Sequence, residues 1–472
     1  MKTFHQSLWR LIIGAAIVGF LPAFTAKVMA QKPGPVYGNV RYEDDYSFLN
    51  NAENRGNDLF NSLKKIPVGS NVELTFGGHY RFRFERDSNR RFGASNPQSQ
   101  SFFLNRLFLF ADLHLGNRVR LFSEFKYAGI TDNELPAPVT AHDKPDVQNL
   151  FADVWLLSTE RSKVGLRAGR QELQFGKQRL ISPLDWVNTR RAFDGFRVMT
   201  NLSGWKFDGF VTRPLEFDPE EVNNADESQT FAGIYAQRQI KAGSVSAFYL
   251  LLKEADPIIR DSKGAPGDFR YHTLGLAFDG NSRGFDWSTE AAYQSGSFGS
   301  DDISAFMVSL DGGYTLSKLP MKPRVGLGCD IASGDENPTD TKKQTFHQLF
   351  PLGHAYFGWA DQVGRQNIRA ISLLLTAKPH KRLVAKLNAF KFDLDEKRDA
   401  LYNAGGGVVR RDATGAAGSD AGSEIDAALE LTINVHVGIQ LGFARFIPGD
   451  FIKKTGSSKT HTLLALSVPV KF

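Results

Sequence analysis

The stretch from Asn71 to Asp87, NVELTFGGHYRFRFERD, alternates with little interruption. Leu74, Phe76, Tyr80, Phe82 and Phe84 share one parity, while Glu73, Thr75, His79, Arg81, Arg83 and Glu85 share the other. A side-chain period of two demands a β-strand with an apolar face and a charged face. Val119, Leu121, Phe125 and Tyr127 oppose Arg120, Glu124 and Lys126 in the same way. So do Phe285, Trp287, Ala291 and Tyr293 against Asp286, Ser288, Glu290 and Gln294. From residue 72 the chain offers eighteen strand-like segments, the first near 72–85 and the last near 458–472. Helical runs are almost absent, which excludes a doubly wound or βαβ fold.

The connections decide between a soluble sandwich and a membrane barrel. Short ones fall at 116–117, 160–162, 201–202, 239–242, 281–283, 317–320, 379–380 and Asn434. Long ones fall near 86–100, 129–147, 175–190, 214–228, 254–267, 335–365, 394–421 and 447–457. Short and long alternate, with GSDD near 299–302 the one brief member of the long set. Outer-membrane barrels sort their loops this way, with tight periplasmic turns and long outer loops. The expected fold is therefore all-β, a transmembrane antiparallel barrel of about 18 strands with both chain ends on the periplasmic side. Its outward rows meet outer-membrane lipid, and Trp186, Trp205, Tyr127 and Trp287 suit interfacial girdles. The closing LALSVPVKF puts Leu464, Leu466, Val468, Val470 and Phe472 on one parity, a form suited to the barrel assembly machinery, with Phe472 as the contact. We expect a monomer.

Residues 1–30 carry Lys2 and Arg10, then LIIGAAIVGFLPAF, then small residues Val28 and Ala30, the pattern of a secretory signal peptide. Its removal takes Lys2, Arg10 and Lys27 and no acid, so 57 basic residues become 54 against 51 acidic ones. That near balance asks for no nucleic-acid partner. One cysteine, Cys329, rules out an internal disulfide. Residues 31–70 are polar and weakly periodic, a periplasmic lead-in to a barrel at 71–472.

An 18-stranded barrel encloses an aqueous channel, so the inward rows carry the function. Basic residues crowd the first six strands: Arg81, Arg83, Arg106, Arg120, Lys126, Arg167 and Arg197. Asp286, Glu290, Asp330, Asp426 and Glu430 follow later. A basic strip raises the local concentration of anions, and the guanidinium fork matches a carboxylate. The bland reading is that these groups pair with Glu85, Asp112, Glu124 and Asp153 to hold the wall open.

Several stretches carry a resemblance: RYEDDYSFL at 41–49, GGHYRFRFE at 77–85, GRQELQFGKQRL at 169–180, RRAFDGFRV at 190–198 and the long ASGDENPTDTKKQTFHQLFPLGHAYFGWADQVGRQNI at 332–368. They resemble the alginate export family of outer-membrane barrels. The resemblance implies passive diffusion of an anionic uronate polysaccharide such as alginate through an arginine-lined pore. It points to Arg81, Arg83, Arg167, Arg170 and Arg197, although Arg170 falls on the lipid parity unless a bulge intervenes. The chain departs from the family at His79, where an acid is expected. It departs again at Asn434, where exporters of the family can carry a long plugging turn. A constriction would then come from the outer loops, from 31–70 or from 335–365.

No catalytic constellation, cofactor motif or metal site emerges. The GxxxxGK[ST] loop, HExxH and GxSxG are absent. His347 and His354, with Asp335, Asp340 and Asp361, lack calcium-loop spacing and are expected as solvated loop residues. The leading expectation is a channel for anionic or polar solutes, either an anionic polysaccharide or small anions. The alternative is a structural or adhesive surface barrel acting through its long loops, with the lumen closed.

Overall fold

The computed structural model describes residues 34–159, 162–255 and 260–472, so the expected signal peptide lies outside the described residues. Eighteen strands form the wall. They are β1 Val72–Ser88, β2 Ser99–Leu115, β3 Val119–Thr131, β4 Asp143–Ser158, β5 Ser162–Gln171 and β6 Phe193–Leu202. Next come β7 Trp205–Pro214, β8 Gln229–Ile240, β9 Gly243–Glu254, β10 Phe269–Ser282, β11 Phe285–Phe298 and β12 Asp301–Thr315. The last six are β13 Arg324–Ala332, β14 Ile368–His380, β15 Leu383–Asp393, β16 Asp420–Thr432, β17 Gly438–Pro448 and β18 His461–Lys471. Each pairs antiparallel with the next, and Tyr80 of β1 opposite Val470 of β18 closes the ring. Closure removes every sheet edge, which a lipid-embedded sheet requires.

The parity argument holds in space. On β1 the side chains of His79, Arg81, Arg83, Glu85 and Asp87 are buried within the tube. The outward rows show apolar groups such as Phe196 and Leu274, 70% and 66% exposed. Trp205, Trp287 and Tyr127 stand on those outward rows. Trp186 does not, because its segment turns into the lumen.

The inward rows are less polar than alternation suggests. Phe110, Phe122 and Phe151 point inward and pack against Val40 and Tyr42 of the lead-in. Phe210, Phe231, Phe248 and Tyr271 point inward and join a core with Leu173, Ile181, Phe346 and Phe357 from two connections. Inward aromatics are what allow three segments to fold into the tube.

The first is the connection 172–192. Arg170, near the end of β5, pairs with Leu150, the middle of β4. The wall at β5 and β6 therefore stops half-way up, and the chain turns in at mid-height. That is why β5 ends at Gln171, short of the position that alternation alone indicates. The notch is filled by Asn223, whose amide donates to Asp143 and Asp146, both at 2.8 Å.

The second is the connection 333–367. Its Trp359 ring lies over Gly442, where any Cβ would clash with it. His354 is buried and stacks on Trp186 with centroids 3.7 Å apart. These residues were expected in a solvated outer loop. His354 and Trp359 are lumenal instead, while Glu336, Asn337, Thr339, Thr341 and Lys342 of the same connection stay exposed.

The third is the lead-in. Residues 41–63 form four 3-10 turns, followed by a short strand, Ile66–Gly69, on the start of β1. The segment lies within the periplasmic mouth. A Cβ on Gly77 would meet Lys64 Nζ and the Phe110 ring at about 2.5 Å, so this glycine makes room for the lead-in.

Candidate functional site: a pinned constriction and an outer vestibule

Backbone carbonyls of a segment crossing a tube have no strand partner and must find other donors. Three arginines of β1 and β2 supply them. Arg81 donates to the carbonyls of Asp185 and Val187, each at 2.8 Å, and of Trp186 at 3.2 Å. Arg83 donates to the Trp186 carbonyl at 2.5 Å, and its guanidinium lies 4.3 Å from the Trp186 ring centre. Arg106 donates to the Asp185 carbonyl at 3.0 Å and to its carboxylate at 2.7 Å. Arg190 donates to the same carboxylate oxygen at 2.8 Å and to Glu172 at 2.6 Å.

Asp185 is enclosed by protein yet 40% of its side chain meets lumen water. Burial pushes its carboxyl up, but Arg106, Arg190 and Arg81 outweigh that and hold it well below the usual carboxylate range. Asp185 thus neutralises part of the arginine cluster in place of a solute.

The other expected residues are equally committed. Arg120 grips Asp112 with two bonds of 2.8 and 2.9 Å. Arg167 grips Asp153 at 2.7 and 2.9 Å, with both buried. Lys126 pairs with Asp143 at 2.8 Å, Arg197 with Asp208 at 2.7 Å, and Arg83 with Glu85 at 2.7 Å. Glu124 accepts from Asn149 at 2.7 Å. Arg170 is a correction to the family-based expectation. No bulge intervenes at its position in β5, so it stays on the outward parity, where its fork binds Asp194 at 2.9 and 3.0 Å. Geometry thus gives the basic strip of the first six strands a structural duty.

Sequence reasoning missed the arginines that are left over. A cavity of about 750 Å³ opens above the constriction, between the wall and the outer connections. Arg91, Arg191 and Arg410 line it, and none forms an ion pair among the described residues. Arg191 donates to the Ser182 carbonyl at 3.1 Å, and burial without a counter-charge pushes it down to about 10. Arg410 donates to the Ser457 carbonyl at 3.0 Å, while its Nε has no partner. The signal lay in loop motifs: Arg190 and Arg191 open RRAFDGFRV, and Arg91 sits in the 86–100 connection. A second cavity, about 410 Å³, lies near the periplasmic end of β8–β13 among Asp279, Asp286, Asp311, Lys177 and Arg324.

The sequence profile described as alginate export matches residues 72–465, which is nearly the whole barrel. The chain belongs to the alginate export family. No curated protein sequence matches it. Solved barrels of Pseudomonas aeruginosa share its fold. OccK8 (OprE) is 12% identical with a TM-score of 0.55, over 84% of this chain and 98% of that one. OpdK, solved with vanillate, is 11% identical with a TM-score of 0.55, over 84% and 99%. OccK2 (OpdF), solved in complex with glucuronate, is 11% identical with a TM-score of 0.53, over 84% and 96%. This alginate export family member is an outer-membrane β-barrel channel for solutes.

Proposed function

We propose that the channel passes anionic solutes of the uronate class, and that its vestibule rather than its mid-wall arginine strip selects them. The observation that carries this reading is the contrast between two sets of arginines. Those on β1–β6 pair with carboxylates or pin the carbonyls of residues 185–187, whereas Arg91, Arg191 and Arg410 line the cavity without an ion pair among the described residues, Arg191 and Arg410 each holding one loop carbonyl. Uncompensated guanidinium groups in a narrow, low-dielectric space attract carboxylates and bind them with paired hydrogen bonds. Conduction needs such sites to be several and weak, which three separated arginines satisfy. The alginate export profile and a fold-mate solved with glucuronate support the same substrate class.

The test is single-channel recording in planar bilayers under a salt gradient, with glucuronate and short uronate oligomers added. Anion selectivity and a concentration-dependent reduction of current by the oligomers are expected. A cation-selective pore that ignores the oligomers overturns the reading.

A further inference from the structure

Three neighbouring periplasmic turns stand out by their charge. They join β10 to β11 at 283–284, β12 to β13 at 316–323 and β14 to β15 at 381–382. Arg283, Lys318, Lys322, Lys381 and Arg382 are exposed on them, and none forms an ion pair among the described residues. The segments LSKLPMKPR at 316–324 and KPHKRLV at 378–384 contain no acid. Acids at the same end of the wall face the lumen and are taken: Arg324 holds Asp286 at 2.8 Å, Lys386 holds Glu430 at 2.7 Å, and Arg179 holds Asp311. The five cations on the turns therefore have no counter-charge from the chain.

The middle turn is longer than the two beside it and carries apolar side chains at its tip. Leu319 and Met321 are 50% and 53% exposed there, between Lys318 and Lys322. The turn is held by its own backbone bonds, from the Leu316 amide to the Pro323 carbonyl at 2.8 Å and from the Lys322 amide to the Leu319 carbonyl at 3.1 Å. The Lys378 amide donates to the Met321 carbonyl at 2.7 Å and ties it to the next hairpin. The tip thus has a fixed shape that presents two apolar groups outward. Just inside it, on the lipid-facing rows, the Phe285 and Tyr314 rings stand exposed with centroids 4.5 Å apart. Aromatic rings, then apolar tips flanked by cations, is the order of groups met on leaving a bilayer core through its headgroups.

We propose that these three turns form a docking site for an anionic phospholipid of the periplasmic leaflet, a phosphatidylglycerol or cardiolipin whose phosphate is held by the five cations while Leu319 and Met321 enter the acyl boundary. Charge complementarity and continuity with the lipid-facing band select this occupant. An acidic protein or polysaccharide in the periplasm would satisfy the cations but leave both apolar side chains in water. Clustered Lys and Arg at a bilayer surface draw anionic headgroups, and salt screens the attraction. The site lies outside the lumen, so it stands independently of the anion-channel reading.

The test is native mass spectrometry of the purified barrel in detergent, titrated with cardiolipin, phosphatidylglycerol and phosphatidylcholine. Wild type is expected to bind the two anionic lipids about tenfold or more tightly than phosphatidylcholine at low salt. Replacing Lys318, Lys322, Lys381 and Arg382 together by Gln should bring that ratio below about threefold. Arg118→Gln with Lys163→Gln, exposed on turns across the mouth, should leave it unchanged. Leu319→Ser with Met321→Ser should weaken binding of both anionic lipids while the cations stay in place. Equal binding of all three lipids by wild type overturns the proposal, a result that needs no variant to fold. A quadruple variant with the full preference overturns it as well, since the anionic lipid then sits elsewhere on the barrel. Displacement of bound cardiolipin by short uronate oligomers would overturn it too, by making the solute the occupant of these turns.

Discussion

Arg106 and Asp185 meet at 2.7 Å, and the same guanidinium also holds the Asp185 carbonyl at 3.0 Å. This contact fastens the inward connection to the wall. Arg106→Ala should release that end while Arg190 keeps the carboxylate, at a cost of roughly 1.5–3 kcal/mol for hydrogen bonds to charged groups. The expected result is a larger, noisier conductance and faster proteolytic cutting within 172–192. An unchanged conductance would mean that the connection does not set the constriction.

Arg167 and Asp153 are both buried, with bonds of 2.7 and 2.9 Å. Removing one partner leaves an uncompensated buried charge, which costs about 3–5 kcal/mol. Arg167→Gln should lower the denaturant midpoint of unfolding strongly, and Arg167→Gln with Asp153→Asn should recover most of the loss. A single variant as stable as wild type would refute the structural assignment of this pair.

The fold was legible because period two and loop-length sorting are backbone properties that survive any side-chain detail. All eighteen expected segments are strands, and the ring closes between the first and the last. The site was legible only by face. Parity places Arg81, Arg83 and Arg106 inside, but their partners are carbonyls of residues 185–187, about eighty or more positions away, and no pattern in β1 encodes that contact. Arg170 shows the complement: its parity was visible, and the family resemblance alone argued against it. Charge reversal at Arg81, Arg83 and Arg106 would therefore test the pinning of a connection rather than the selectivity of a pore. The inward folding of 333–367 was hinted at by its apolar residues, such as Phe346, Phe357 and Trp359, which a solvated loop has no use for.

His347 gives the inward connection a pH response. Burial, and secondarily Lys343, pushes its imidazole down to about 4. Its Nδ1 accepts from the Leu349 amide at 3.1 Å, which the protonated ring cannot do. A depressed folded value means that the stabilisation is complete above the unfolded value near 6.5 and is lost as pH falls toward 4. Asp335, raised by burial to about 6, acts in the opposite sense in the same connection. The measurement is therefore a difference: hydrogen-exchange protection factors of residues 345–352, corrected for the intrinsic pH dependence of exchange, should fall between pH 7 and 4.5 more in wild type than in His347→Phe. An equal fall in both would contradict the assignment.

Gly77 faces Lys64 and Phe110 with no space for a methyl group. Gly77→Val should cost about 1–3 kcal/mol as overpacking and fall mainly on the docked lead-in, since β1 keeps its ladder. The expected outcome is proteolysis of residues 34–65 in an otherwise intact barrel. Loss of the whole barrel would show that the lead-in and the wall fold as one unit.

The most direct test of the account is the reversal potential in a tenfold potassium chloride gradient. Wild type should be anion-selective. Replacing Arg91, Arg191 and Arg410 together by Gln should move the potential most of the way to zero, whereas the neutral pair replacement at Arg167 and Asp153 should leave it where it was. A vestibule variant that keeps full anion selectivity would contradict the claim that the unpaired loop arginines, and not the paired strip on the wall, choose the solute.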